Sequence, residues 1–395
     1  MQPDLRRLQE LLKAPRRKNE PGLAQGTAPD GFTREVVSEG EVFVSKEEIS
    51  VDGAYWPPQL DLSPLIPPQG AKRDELVFLD TETTGLGGSG VYSFMVGVGR
   101  FNADRLTLTQ FLLPSPAQEH AFLSRLQDAC SQGAVLVTYN GRAFDWPHLS
   151  DRFIMNAMSL PTWRFHLDLL FWVRRLLGPM VSDCRLGSIE REVLGKMRPE
   201  GISGRQVPAV YFDYLRTGNT VLLNEVARRN RVDILSLVEL TGHIAAYWRG
   251  LLPQRLGGSI LLGLGQICEE RGQLERALIH YETASERAQN RRQCAEAMKR
   301  LAFIYKRKGN AQKARHWFSR AWQQAPHDPT AAVELAKYYE HQDKDYDLAR
   351  QWVLQALAAL GHPNRRKWQH DLLHRLARLD RKREEGCGSH SVCSV

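Results

Sequence analysis

The stretch from Glu75 to Leu86, ELVFLDTETTGL, constrains this chain more than any other. Its apolar run, Leu76 to Leu79, reads as a strand buried on both faces. Thr83-Thr84-Gly85 closes it with a turn signal. Asp80 and Glu82 stand at the end of that strand. Side chains two apart on a strand share a face, so the two carboxylates project side by side. Left unneutralised, such a pair costs several kcal/mol through repulsion and desolvation. A divalent cation with oxygen ligands offsets that cost most directly. The alternative is an exposed strand end with both acids hydrated.

A D-x-E-T-T-G-L segment closing a first strand resembles the first motif of the DEDD exonucleases, which have an RNase H-like fold. That resemblance implies two further aspartates downstream in recognisable settings. A second buried strand, AVLVTYN (Ala134 to Asn140), runs into NGRAFDWPHL. Pro147 suits the first turn of a helix, and Asp145 precedes it where a cap would sit. Capping is one role for Asp145. The N-G-x-x-F-D-x-P-x-L arrangement resembles the second DEDD motif, in which a strand-to-helix turn delivers an aspartate towards the first strand.

The third aspartate is Asp233, on a helix expected from about Thr220 to Trp248. Val226, Asp233, Leu237 and Leu240 share one face of that helix, so the carboxylate lies on an apolar stripe. It must be paired or ligate a cation. A salt bridge to Arg229, one turn earlier, is the structural alternative. The surrounding RNRVDILSL resembles the last motif of the YprB-like family of RNase H-like proteins, a branch of the DEDD group. That family typically reads H-N-x-x-D-x-L-x-L there.

The resemblance covers about Asp74 to Tyr247. It implies a metal-dependent nuclease, 3′–5′ exonuclease-like, acting on DNA or RNA. Asp80, Glu82, Asp145 and Asp233 would hold two Mg²⁺ or Mn²⁺ ions. Asn140, His166, Asp168, Arg229 and Asn230 are accessory candidates, with Asp168 an outer-shell carboxylate and His166 read chiefly as a packed histidine. One position departs from the pattern, because Arg229 stands where the family carries His. A guanidinium stays protonated and has no acceptor lone pair, so it cannot be a general base. Three readings follow: metal alone activates the water, or His166 or Tyr139 substitutes, or the domain binds nucleic acid without cutting it.

The first 70 residues read as a short basic helix (residues 1 to about 20) and an irregular Pro/Gly-rich lead-in with short strand-like pieces such as EVFVS, lying on the next domain. Residues 71–250 form a mixed α/β domain: three strands, then helix, strand and helices, which is the order of the RNase H-like sheet that the resemblance implies. The helix after the third strand is expected from Pro114 to Gly133. Another is expected in Cys184 to Arg198, ending near Gly195, followed by a loop to the Asp233 helix. Residues 255–380 read as helical repeats. Three segments align on Ala277, Ala314 and Ala349, with offsets of 37 and 35, near the tetratricopeptide period. Such an all-α unit would serve as a platform for a protein partner or for nucleic acid.

Charge supports the division. From Leu251 onward there are 25 Lys+Arg against 16 Asp+Glu, while residues 1–250 hold 28 against 29. The basic surplus of the C-terminal third is either a footprint for an acidic partner or a solvated Arg-rich surface. Six scattered cysteines suit a reducing, cytoplasmic setting, and no apolar run is long enough for a membrane span. Residues 381–395, ending in CGSHSVCSV, read as a disordered tail, with metal binding there the minor alternative.

Overall fold

The fold is built outward from the strand that carries Asp80. The structure is a computed structural model. It describes residues 26–388 except 52, 54–55, 57–59, 68–69, 86–89, 132, 199–200, 250–256, 289 and 361–364. The expected N-terminal basic helix lies outside the described residues. The chain divides into two compact units, one of residues up to 174 with 181–251, the other of residues 175–180 with 252–395.

The first unit holds a seven-stranded sheet. Its strands are β1 (Thr33–Val37), β2 (Gly40–Ser50), β3 (Leu76–Thr83), β4 (Ser93–Asn102), β5 (Arg105–Leu112), β6 (Val135–Thr138) and β7 (Phe165–Asp168). The spatial order is β1-β2-β5-β4-β3-β6-β7. Strands β1 to β5 pair antiparallel, while β6 runs parallel to β3 and β7 parallel to β6. β3 is therefore central, and Leu76 to Leu79 are buried as the continuous apolar run requires.

The lead-in is not irregular throughout. Residues 33–50 form a hairpin that extends the sheet past β5, with Val42, Phe43 and Val44 buried. Pairing along β5 supplies partners for backbone groups that the Pro/Gly content of the wider segment had obscured.

The helices of this unit are α1 (Glu119–Cys130), α2 (Asp145–Met155), α3 (Leu169–Leu176), α4 (Leu186–Glu192), α5 (Val207–Thr217) and α6 (Val221–Trp248). α1 is shorter than the expected Pro114–Gly133, because a 3-10 turn at Pro116–Gln118 precedes it. α4 stops at Glu192, not near Gly195, and α5 occupies part of the segment read as a loop. Pro208 in its first turn and Gly218 at φ 70° after its last frame α5 as such residues commonly do.

α6 lies across the sheet and sets the site. Asp80 pairs with Gly97 in the β3–β4 register. A Cβ at Gly97 would stand 2.4 Å from Asn230 Oδ1 and 2.8 Å from Ile234 Cγ1. One at Gly99 would stand 2.8 Å from Ile234 Cγ2. The two glycines let the helix approach the sheet where Asp80 lies.

The second unit is helical: α7 (Gly258–Glu270), α8 (Leu274–Arg287), α9 (Arg291–Arg307), α10 (Ala311–Gln324), α11 (Pro329–Tyr338), α12 (Tyr346–Ala358) and α13 (Arg365–Gly388). Ala277, Ala314 and Ala349, the aligned small positions, are all buried. Asn290, Asn310, Asp328 and Asp345 cap the starts of α9, α10, α11 and α12 through their side chains. Glu340, fully buried, accepts hydrogen bonds from Arg375, Arg378 and Lys382 of α13. α13 runs through residue 381, where the sequence pattern suggests the start of a disordered tail; residues 389–395 lie outside the described residues. Among the described residues no helix is long and apolar enough to cross a membrane.

Candidate metal centre

Three of the four candidate carboxylates converge. One oxygen each from Asp80, Glu82 and Asp233 lie within 4.8 Å of one another. β3 supplies the first two on one face, and the apolar stripe of α6 supplies the third. Asp80 is half-buried, and Glu82 and Asp233 are buried. Burial raises all three above the usual carboxylate range. In Asp80 the negative charges of Asp233, Asp145 and Glu82 add to it. In Glu82 burial outweighs the opposing pull of Arg229 and lifts the group to about 7. In Asp233 burial outweighs Arg198 and Arg229. Three acids held together at this cost are a donor set suited to a hard divalent cation.

Asp145 stands beside this group with its carboxylate engaged elsewhere. It accepts a hydrogen bond from Thr81 Oγ1 at 2.6 Å. Burial still lifts it to about 6, against that bond. It is the first residue of α2, not the cap, which is Phe144. The turn before it is braced by Asp168. Asn140, at φ 64°, and Arg142 donate their backbone N–H groups to the two oxygens of Asp168 at 2.8 and 3.2 Å. Leu170 N adds a third bond at 3.1 Å. Asp168 therefore orders the loop that delivers Asp145.

Asn230 holds Asp80. Its Nδ2 donates to Asp80 Oδ2 at 2.9 Å, and its Oδ1 accepts from Gln110 Nε2 at 2.9 Å. Gln110 on β5 also donates to the Ala227 carbonyl at 2.8 Å, which ties the sheet to α6. Two residues offered as alternative bases are otherwise employed. Tyr139 OH donates to the Cys184 carbonyl at 2.6 Å, and burial raises its pKa. His166 Nε2 lies 2.9 Å from Thr138 Oγ1, and burial with Arg142 lowers the ring to about 4.

Two arginines occupy the cluster. Arg229 Nε donates to Glu82 Oε1 at 3.2 Å and lies 3.8 Å from Asp233 Oδ2. The ion pair expected between Arg229 and Asp233 is thus present at the longer distance. Arg198 bonds Asp233 Oδ1 directly and also clasps Glu190. Glu190 is fully buried and accepts from Ser236 Oγ at 2.6 Å. The sequence motifs do not single out Arg198, Glu190, Gln110, Thr81 or Ser236. Arg198 lies in irregular backbone after α4, where periodicity carries no signal. Gln110, a polar residue in an apolar strand, is the one of these that alternation exposes.

A cavity of about 580 Å³ opens from the cluster. Asp80 and Asp233 line it together with five cations, Arg185, Arg191, Lys196, Arg198 and Arg229.

Residues 77–245 match the family model described as the RNase H superfamily, RNase_H_2. YprB of Bacillus subtilis (strain 168) is 33% identical over 338 residues, which are 82% of this chain and 79% of that protein. The chain is a YprB-like member of the RNase H superfamily. Among solved structures, it is similar to one titled for the functional characterization of Pseudomonas aeruginosa pilF, at 18% identity and TM-score 0.30, over 45% of this chain and 85% of that one. It is also similar to E. coli exonuclease I in complex with a dT13 oligonucleotide, at 12% identity and TM-score 0.26, over 79% and 98%. Superpositions that loose carry no argument, and the family rests on sequence. It gives the α/β unit a nuclease-like fold, followed by the helical unit.

Proposed function

We propose that this chain is a metal-dependent nuclease of the 3′–5′ exonuclease type. The observation that carries the reading is the convergence of Asp80, Glu82 and Asp233 in a nuclease-like fold. Asp80, Glu82 and Asp233 would hold a Mg²⁺ or Mn²⁺ ion, and Asp145 would be the further donor for a second. The bound ions supply an activated water and charge stabilisation at the leaving oxygen.

The protein's own part is to fix those donors and admit the strand. Asn230 and Gln110 fix the orientation of Asp80. Asp168 fixes the turn before Asp145. The cationic lining of the cavity attracts a phosphodiester backbone towards acids that would otherwise repel it. Tyr139 donates to a carbonyl, and His166, lowered to about 4 with its Nε2 on Thr138, is a weak base, so neither is placed as a general base; a bound ion would acidify the attacking water. Arg229 contacts phosphate in this scheme, in keeping with its fixed charge. The helical unit, with its basic surplus and buried alanine positions, is a tetratricopeptide-like platform for a protein partner or for nucleic acid.

The test is cleavage of end-labelled single-stranded DNA and RNA with Mg²⁺, Mn²⁺ or chelator, beside Asp80→Asn. A metal-dependent ladder from the 3′ end that is lost in Asp80→Asn is expected. Equal cleavage by Asp80→Asn would refute the assignment. The pairing of Arg229 and Arg198 with Glu82 and Asp233 favours a second reading, a catalytically degenerate module that binds nucleic acid without cutting. It predicts salt-sensitive binding of the same oligonucleotides with no cleavage.

A further inference from the structure

Arg198 is held in a manner that a simple ion pair does not require. Its Nε and Nη2 both donate to Glu190, with Nη2 at 2.7 Å from Oε1, and the same Nη2 bonds Asp233 Oδ1. Glu190 is fully buried, and its bonds are to Arg198 and to Ser236 Oγ. Arg198 is itself about one quarter exposed and faces the cavity beside Asp80. A buried carboxylate is costly unless it is paired. Here Glu190 fixes one guanidinium at the edge of the carboxylate cluster.

We propose that Arg198 is a resident cation of the centre, which competes with metal for Asp233 and sets the metal concentration at which the centre fills. The proposal rests on reading the carboxylates as a cation site. Arg198 neutralises Asp233 while that site is without metal. When an ion takes Asp233, one N–H of Arg198 leaves Oδ1 while the contacts to Glu190 persist. Arg198 therefore gives way without becoming an unpaired buried charge. Arg229 does not play this part, because its distances to Glu82 and Asp233 are longer and, among the described residues, both carboxylates it meets belong to the cluster itself. The competition costs metal binding roughly the worth of one charge-assisted hydrogen bond.

The test is calorimetric titration of the chelator-treated full chain with Mn²⁺ alone. Arg198→Met leaves Glu190 buried without its cation and is prone to unfolding, so the deciding variant is Arg198→Met with Glu190→Gln, which removes both charges together. That variant is expected to bind Mn²⁺ on the order of ten-fold more tightly than wild type. Arg198→Lys, which keeps a cation, is expected to bind as wild type does. Asp80→Asn should abolish the binding in every background, which places it at this centre. Wild-type binding with no gain in the double variant overturns the competition and leaves the nuclease reading intact. Absence of Asp80-dependent binding in both wild type and double variant overturns the two together.

Discussion

Replacing Glu82 with Gln is expected to stabilise the metal-free protein above neutral pH while destroying the metal centre. Folding raises the Glu82 carboxyl from the ordinary 4.5 to about 7. Its side chain is only 11% exposed, so solvent screens little of that effect. A tenfold change in proton affinity is worth about 1.4 kcal/mol, so the ionised form is about 3 kcal/mol costlier folded than unfolded. The folded protein binds this proton more tightly than the unfolded chain does. Stability is therefore favoured in acid, begins to fall as pH passes 4.5, and has lost the full amount above about 7. Glutamine keeps the acceptor for Arg229 Nε without the charge. In chelator at about pH 8, Glu82→Gln should melt roughly 5–10 °C above wild type, and the gap should close near pH 4.5. Saturating Mn²⁺ should reverse the order, because only wild type gains ligand stabilisation. Thermal melts across that range with and without Mn²⁺ read all three effects. A variant less stable than wild type at every pH, or a gap that does not vary with pH, would refute the account of Glu82 as a strained acid.

Gly97→Ala should force Asn230 and Ile234 away from β4 and release Asp80, lowering Mn²⁺ affinity by roughly ten-fold, one charge-assisted hydrogen bond, as read by calorimetry. Arg152 and Glu119 form a buried two-point pair with bonds of 2.6 and 2.5 Å, so Arg152→Met should cost about 3–5 kcal/mol in chemical denaturation. Adding Glu119→Leu should restore most of that loss, since it removes the orphaned charge. Glu340 is held down to about 2, its cations on α13 outweighing the opposing effect of burial. The stability it lends is present above 4.5 and lost as pH falls through about 2, so amide exchange along α13 should quicken over that range and in Glu340→Gln at neutral pH.

How much of this was legible in the sequence depends on whether a feature is local. The strand bearing Asp80 and Glu82 was legible, because an apolar run broken by two acids at a spacing of two is a local pattern. The helix bearing Asp233 was legible to within a residue at its start, because its stripe repeats for many turns. Of the β1–β2 hairpin only the strand-like EVFVS piece is legible, since the pairing that orders the rest is with β5, distant in sequence. The short reach of α4 and the presence of α5 were missed for a related reason. Near Gly195 no periodicity arbitrates, and α5 is closed by Gly218 in the left-handed conformation. Asp145 shows the limit of motif reasoning. The pattern places it just before a helix, whereas it is the first helical residue, and its partner is Thr81, on the face of β3 opposite to the one the pattern displays.

The glycines of β4 and the long helix α6 are two halves of one constraint. A carboxylate on an apolar stripe needs a partner; those of Asp233 are Arg198 and Arg229, and the carboxylates it must join are on β3. It reaches them only if α6 lies against the sheet at Gly97, where any side chain would collide with Asn230 or Ile234. The same approach puts Asn230 on Asp80, one helical turn from Asp233, so one packing contact aligns two acids at once. Val-Gly-Val-Gly in the middle of a strand is poor strand-forming sequence, and its cost is explained by what it admits. Such a pair of glycines opposite a D-x-E strand points to a helix crossing close enough to complete a carboxylate cluster.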